Sequence, residues 1–103
     1  MKYDKLIRDK IPEKIQSKGE SFKTHIANDD EFWNKLKQKL DEEVEEFLKD
    51  PCIEELSDVQ EVINAIADFK FGGIESLEES RKTKFEKIGG FEKRIILDET
   101  DRG

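Results

Sequence analysis

The sequence predicts an all-α fold in a single domain, residues 1–103, built on an antiparallel helical hairpin with a third helix beside it. Charged residues make up 44% of the chain and hydrophobic residues 34%, a balance typical of amphipathic helices that each carry one narrow apolar stripe. Apolar residues also recur at helical spacing, and glycine pairs separate the segments. A domain this small buries only about two thirds of its unfolded surface. We therefore expect a four-helix-type bundle completed in a homo-oligomer, with a dimer as first choice and a tetramer as the alternative.

The N-terminal quarter of the chain predicts a short helix and a minor strand. Pro12 suits the first turn of a helix, which is expected to reach Gln16 before Gly19 ends it. Residues 21–27 alternate weakly between apolar and polar side chains, and we interpret them as a strand that pairs with residues 91–97. Two strands alone are marginal, so this feature near the termini is a minor one.

The first long helix is predicted over residues 30–48. Its apolar side chains recur at steps of three and four residues, which is the period of an α-helix. They are Phe32, Trp33, Leu36, Leu40, Val44 and Phe47.

Two further helices follow. The second is expected to begin after Asp50, a natural N-cap, with Pro51 in its first turn. The glycine pair at positions 72–73 ends it. The third spans residues 74–87, with acidic residues early and lysines late, as the helix dipole favours. A second glycine pair, at 89–90, stops it.

Each long helix carries one carboxylate inside its apolar stripe and another three residues later at the edge. With Leu36 set at 0° and 100° per residue, Glu43 lies at about −20° and Glu46 at about −80°. With Val59 at 0°, Glu55 lies at about −40° and Asp58 at about −100°.

The short connection between the helices brings these carboxylates together. It forces the helices to run antiparallel, so Glu46 should lie near Glu55, and Glu43 near Asp58. Four facing carboxylates need a counter-charge, because each disfavours the ionisation of the others. Oxygen-only ligands favour Mg²⁺, or Mn²⁺, over zinc. The alternative is that the acidic run 41–46 is only a solvated helix end, but a solvated face would not place carboxylates inside two successive apolar stripes.

The residues Glu42-Glu43-Val44-Glu45-Glu46 and Glu55-Leu56-Ser57-Asp58 resemble the E-E-x-x-E and E-x-x-D motifs of the MazG-like and phosphoribosyl-ATP pyrophosphohydrolase-like superfamily. The resemblance covers residues 35–69, and segments 3–12 and 89–93 are similar to the ends of short members.

The resemblance implies an all-α oligomer that hydrolyses a nucleoside triphosphate to monophosphate and pyrophosphate, often as house-cleaning of non-standard nucleotides. It also implies magnesium at Glu43, Glu46, Glu55 and Asp58. Glu42 or a neighbouring carboxylate is expected to accept the proton of the attacking water, and Glu42 ranks first because the family motif begins there.

Two basic pairs are candidates for binding the substrate phosphates. Arg81 and Lys84 fall within the apolar stripe of the third helix, where the alternative role is a structural ion pair with an inward carboxylate. Lys5 and Arg8 lie in the N-terminal segment, where the alternative is a solvated arm.

Composition narrows the partners and the location. The net charge of −7 argues against nucleic acid and anionic membrane as partners, since both require a basic surface. Cys52 is the only cysteine, and no apolar stretch has the length of a signal or a spanning helix. We therefore expect a cytoplasmic protein. The alternative function is a non-catalytic helical regulatory or adaptor module whose carboxylates only form ion pairs.

Overall fold

Four helices make up the regular structure of the computed structural model, which describes residues 3–101. In chain order they are α1 (Ile11–Ser17), α2 (Asp29–Lys49), α3 (Ile53–Lys70) and α4 (Ile74–Ile88). The prediction of an all-α fold is confirmed. None of these helices combines the length and the apolar character that a membrane crossing requires.

The start of α2 is stabilised by side-chain capping. The Asn28 side chain accepts a hydrogen bond from the backbone N–H of Glu31 at 2.9 Å, which satisfies one of the free donors of the first turn. Three acidic residues in that turn and Lys49 in the last turn complement the helix dipole. The helix lies within one residue of its predicted bounds at each end.

The predicted start of α3 was wrong. Asp50 is the C-cap of α2, with its N–H bonded to the carbonyl of Glu46, and Cys52 is the N-cap of α3. Pro51 accounts for the difference, because a proline disfavours the α-helical conformation in the residue before it. Asp50 therefore leaves the helix, and residues 50–52 form the turn of the hairpin.

The core lies between α2 and α3, which pack antiparallel. Near the open end of the hairpin the ring of Phe69 meets that of Phe32 edge to face, with centroids 4.8 Å apart. Leu36, Val62 and Ala67 are the buried apolar residues of the described chain, and Leu36 is only 1% exposed.

The turn into α4 depends on two glycines. Gly72 and Gly73 have φ values of 83° and 117°, a left-handed range that side chains with a Cβ rarely adopt. The backbone N–H of Gly73 donates to the carbonyl of Ala67. Helix α4 packs on α3 and contains no buried residue, and Gly89 ends it close to the predicted position.

One copy of the chain leaves much apolar surface uncovered. The radius of gyration is 18.4 Å, whereas a compact chain of this length has about 13 Å. Large apolar side chains are exposed on three helices and in the C-terminal segment, including Leu48, Ile53, Leu56, Ile74, Phe85, Ile88, Ile95, Ile96 and Leu97. The described part of the chain therefore has a thin core, and the predicted oligomer stays a prediction.

The two predicted minor strands were wrong. Residues 21–27 and 91–97 form neither strand nor bridge, and nearly all of their side chains are exposed. Alternation over so few residues carries little weight without a third strand or a helix to cover one face of the ribbon.

Candidate metal centre

Three carboxylates meet where α2 faces the start of α3. Glu43 comes from α2, and Glu55 and Asp58 come from the first two turns of α3. One carboxylate oxygen from each lies within 4.8 Å of the others, and all three residues are half-buried. The antiparallel hairpin is the cause, since it places the end of α2 beside the beginning of α3.

Glu46, the fourth predicted ligand, is exposed and does not belong to this group of three. It lies at the edge of the apolar stripe, so its side chain points more towards solvent than that of Glu43. Its charge still acts on the site, because it contributes to raising the pKa of Glu55.

The pKa of Glu55 is raised above its usual value of 4.5. Partial burial is the largest cause, and the negative charges of Glu46, Asp58, Glu43 and Asp50 add to it in that order. Both effects penalise the ionised carboxylate. A bound cation would remove the penalty, so the site is electrostatically suited to a positive ligand.

Lys39 is a residue of this site that the sequence analysis missed. Its Nζ lies 3.3 Å from Oε1 of Glu43 and 3.7 Å from Oε1 of Glu42. The signal was present, because on the same helical projection Lys39 falls at about −60°, between Glu43 and Glu46. At this position, one turn before the acidic run, a lysine can pair with carboxylates three and four residues later.

The segment before α1 lies against the carboxylates. We call residues 3–10 the N-terminal strap. Arg8 Nη2 donates to Asp58 Oδ1 at 2.8 Å, and Lys5 Nζ lies 3.7 Å from Glu42 Oε1. Lys35 Nζ donates to the backbone carbonyl of Asp4 at 2.8 Å. Arg8 and Lys5 therefore belong to ion pairs at the site and not to a free solvated arm.

Glu42, the predicted proton acceptor, is half-buried beside the site. It is not one of the three converging carboxylates. Its ion-pair partners are Lys5 on the strap and Lys39 on its own helix.

The second predicted phosphate-binding pair is not brought to the carboxylates. Arg81 donates to both carboxylate oxygens of Glu78 on its own helix, at 2.6 and 3.0 Å. This bidentate hydrogen bond raises the pKa of Arg81 and lowers that of Glu78. Lys84 is exposed on α4. In residues 3–101 neither basic side chain forms an ion pair with Glu43, Glu55 or Asp58.

Comparison with known proteins identifies neither a family nor a related structure for this chain. No family model matches the chain, and no solved structure matches it. A stretch of 42 residues is 48% identical to an uncharacterized protein of Mycolicibacterium smegmatis. That stretch is 41% of this chain and 43% of the relative, so the match spans less than half the length of either protein.

Proposed function

We propose that this protein is a magnesium-dependent nucleoside triphosphate pyrophosphohydrolase of the MazG-like kind, which releases a nucleoside monophosphate and pyrophosphate. The observation that carries the proposal is the convergence of Glu43, Glu55 and Asp58 to within 4.8 Å on two antiparallel helices. These are positions of the two motifs that resemble the superfamily. Without that convergence, the motifs would be only acidic stretches of sequence.

The donor set fits magnesium. Carboxylate oxygens are hard ligands, and Mg²⁺ is usually held by a few carboxylates together with phosphates of the substrate. Mn²⁺ suits the same ligands. Glu46 is close enough for its charge to contribute to raising the pKa of Glu55, and the resemblance assigns it as the fourth ligand.

The chain's own residues would do the following in the reaction. Glu43, Glu55 and Asp58 would hold the cation, which when bound would neutralise the triphosphate and activate a water for attack on phosphorus at the α–β anhydride bond, with pyrophosphate as the leaving group. Glu42 accepts the proton of that water. Arg8 and Lys5 supply positive charge to phosphate oxygens. Arg81 and Lys84 could join them only from a different arrangement of α4 or from another subunit.

The wider setting follows from the same resemblance. We propose a homo-oligomer, with a dimer as first choice and a tetramer as the alternative. It acts in the cytoplasm on non-standard nucleotides. The exposed apolar surface of α4 and of the hairpin end supports an oligomer, because a large apolar patch on a single chain usually marks an interface.

Product analysis tests the proposed reaction. A panel of nucleoside triphosphates is incubated with the protein and magnesium, and the products are separated by anion-exchange chromatography, with a matched reaction in excess chelator as the control. Monophosphate and pyrophosphate are the expected products. Diphosphate and orthophosphate as the main products would contradict the assignment.

A non-catalytic regulatory or adaptor module is the second candidate. Two observations favour it: Asp58 and Glu43 already have ion-pair partners in Arg8 and Lys39, and the chain exposes many large apolar side chains that a partner could cover. A melting temperature that does not respond to millimolar magnesium, with or without nucleotide, would favour this module. A ligand that binds only the folded state must raise that temperature.

A further inference from the structure

The N-terminal strap is held on the hairpin largely by polar contacts. It contains no helix, and within it only Leu6 and Ile7 are half-buried. The Arg8–Asp58 ion pair is 54% exposed on the arginine side and 42% on the aspartate side, and exposed ion pairs contribute little to stability. The attachment through Arg8 is therefore weak, and a competitor for Asp58 can displace the guanidinium group.

Asp58 is the point of competition. It accepts the hydrogen bond of Arg8 at 2.8 Å, and it also supplies one of the three oxygens that converge in the carboxylate group. A guanidinium group and a divalent cation on one carboxylate repel each other. Each of the two therefore binds Asp58 more weakly when the other is present.

We propose that the strap is an internal counter-ion for the carboxylates, which a divalent cation displaces by taking Asp58 from Arg8. The released guanidinium is then free to form a bidentate pair with a phosphate of an anionic substrate, whose negative charge offsets its repulsion by the cation. Metal loading and the exposure of the phosphate-binding arginine thus become one event. The inference rests on the proposed metal site, and it adds an order to the steps: cation first, substrate phosphate second.

Isothermal titration of magnesium into the full chain tests the competition, with Arg8→Gln compared with Lys10→Gln. Both variants remove one positive charge from the strap, but Lys10 has no ion pair in the described structure. Arg8→Gln should bind magnesium about three-fold more tightly than wild type, the scale of one exposed ion pair. Lys10→Gln should change the affinity little, since distant exposed charges are screened. Equal affinities in the two variants, or weaker binding by Arg8→Gln, overturn the inference.

Limited trypsin digestion tests the release itself. Magnesium should increase cleavage after Lys5 and Arg8 in the wild-type chain, read by intact mass spectrometry. Cleavage after Arg94, in the exposed C-terminal segment, should not change and controls for effects on the protease. In Asp58→Asn the same bonds should be cleaved readily without magnesium. If magnesium does not change the rate at which trypsin cleaves the strap, the inference is overturned.

The two proposals fail in different ways. Tighter magnesium binding by Arg8→Gln without any nucleotide hydrolysis supports the displacement of the strap and contradicts the proposed enzymatic activity. Nucleotide hydrolysis with equal magnesium affinity in the two variants supports the proposed enzymatic activity and contradicts the displacement of the strap. No magnesium binding by any variant contradicts both.

Discussion

Replacing Lys39 with Gln tests the electrostatics of the carboxylate group most sharply. The Nζ of Lys39 lies 3.3 Å from Glu43, and the two side chains are only 17% and 14% exposed. Exposed ion pairs are worth about 0.2–1 kcal/mol, whereas breaking a buried pair costs about 3–5 kcal/mol. This pair lies between those limits, so we expect the free energy of unfolding to fall by about 2 kcal/mol. For a chain of this size the melting temperature should fall by roughly 8–16 °C.

The assay is thermal unfolding followed by circular dichroism, at one protein concentration, without magnesium and at saturating magnesium. Lys23→Gln is the control, because it makes the same change in net charge in an exposed segment with no ion pair among the described residues. Magnesium should narrow the gap between the variants, since the cation takes over the role of Lys39 beside Glu43. The reasoning is refuted if the two variants melt together without magnesium, or if magnesium leaves the gap unchanged.

Three further predictions concern the site, the core and the assembly. Because the folded state raises the pKa of Glu55 above 4.5, it holds that proton more tightly than the unfolded chain, so stability should fall as the pH rises just above that value. Glu55→Gln should remove this part of the pH dependence of the free energy of unfolding, measured by urea denaturation. Identical pH profiles for wild type and variant would show that the fold does not raise the pKa of Glu55. Leu36→Ala should lower the free energy of unfolding by about 2–5 kcal/mol, because it leaves a cavity between α2 and α3; a loss below about 1 kcal/mol would mean that the core collapses around it. Light scattering at micromolar concentration should give a dimer, and a monomer would contradict the proposed covering of the apolar surface.

The helices were largely predictable because their signals are local. The three- and four-residue period located α2, and the glycine pairs located both ends of α4. The start of α3 was not predicted, since Asp50 and Pro51 were both assigned to the helix that follows them. In the structure Pro51 acts on the residue before it and ends α2 instead.

The carboxylate group was predictable only in part. The helical projection identified Glu43, Glu55 and Asp58 because each lies in or beside an apolar stripe that the hairpin buries. The same projection gives an angle but no depth, and so it did not distinguish the exposed Glu46 from them. The contact of Arg8 with Asp58 joins residues 50 positions apart, and no local pattern in the sequence could reveal it.

Magnesium-dependent release of pyrophosphate by two adjacent variants tests the central claim, that the inward carboxylates hold a catalytic cation. Glu55→Gln and Glu54→Gln remove the same charge from neighbouring positions of α3, but Glu55 is half-buried in the carboxylate group and Glu54 is exposed. Circular dichroism establishes that both variants fold. We expect Glu55→Gln to lose magnesium-dependent activity and Glu54→Gln to retain it. Equal loss in both variants, or full activity in Glu55→Gln, would contradict the account.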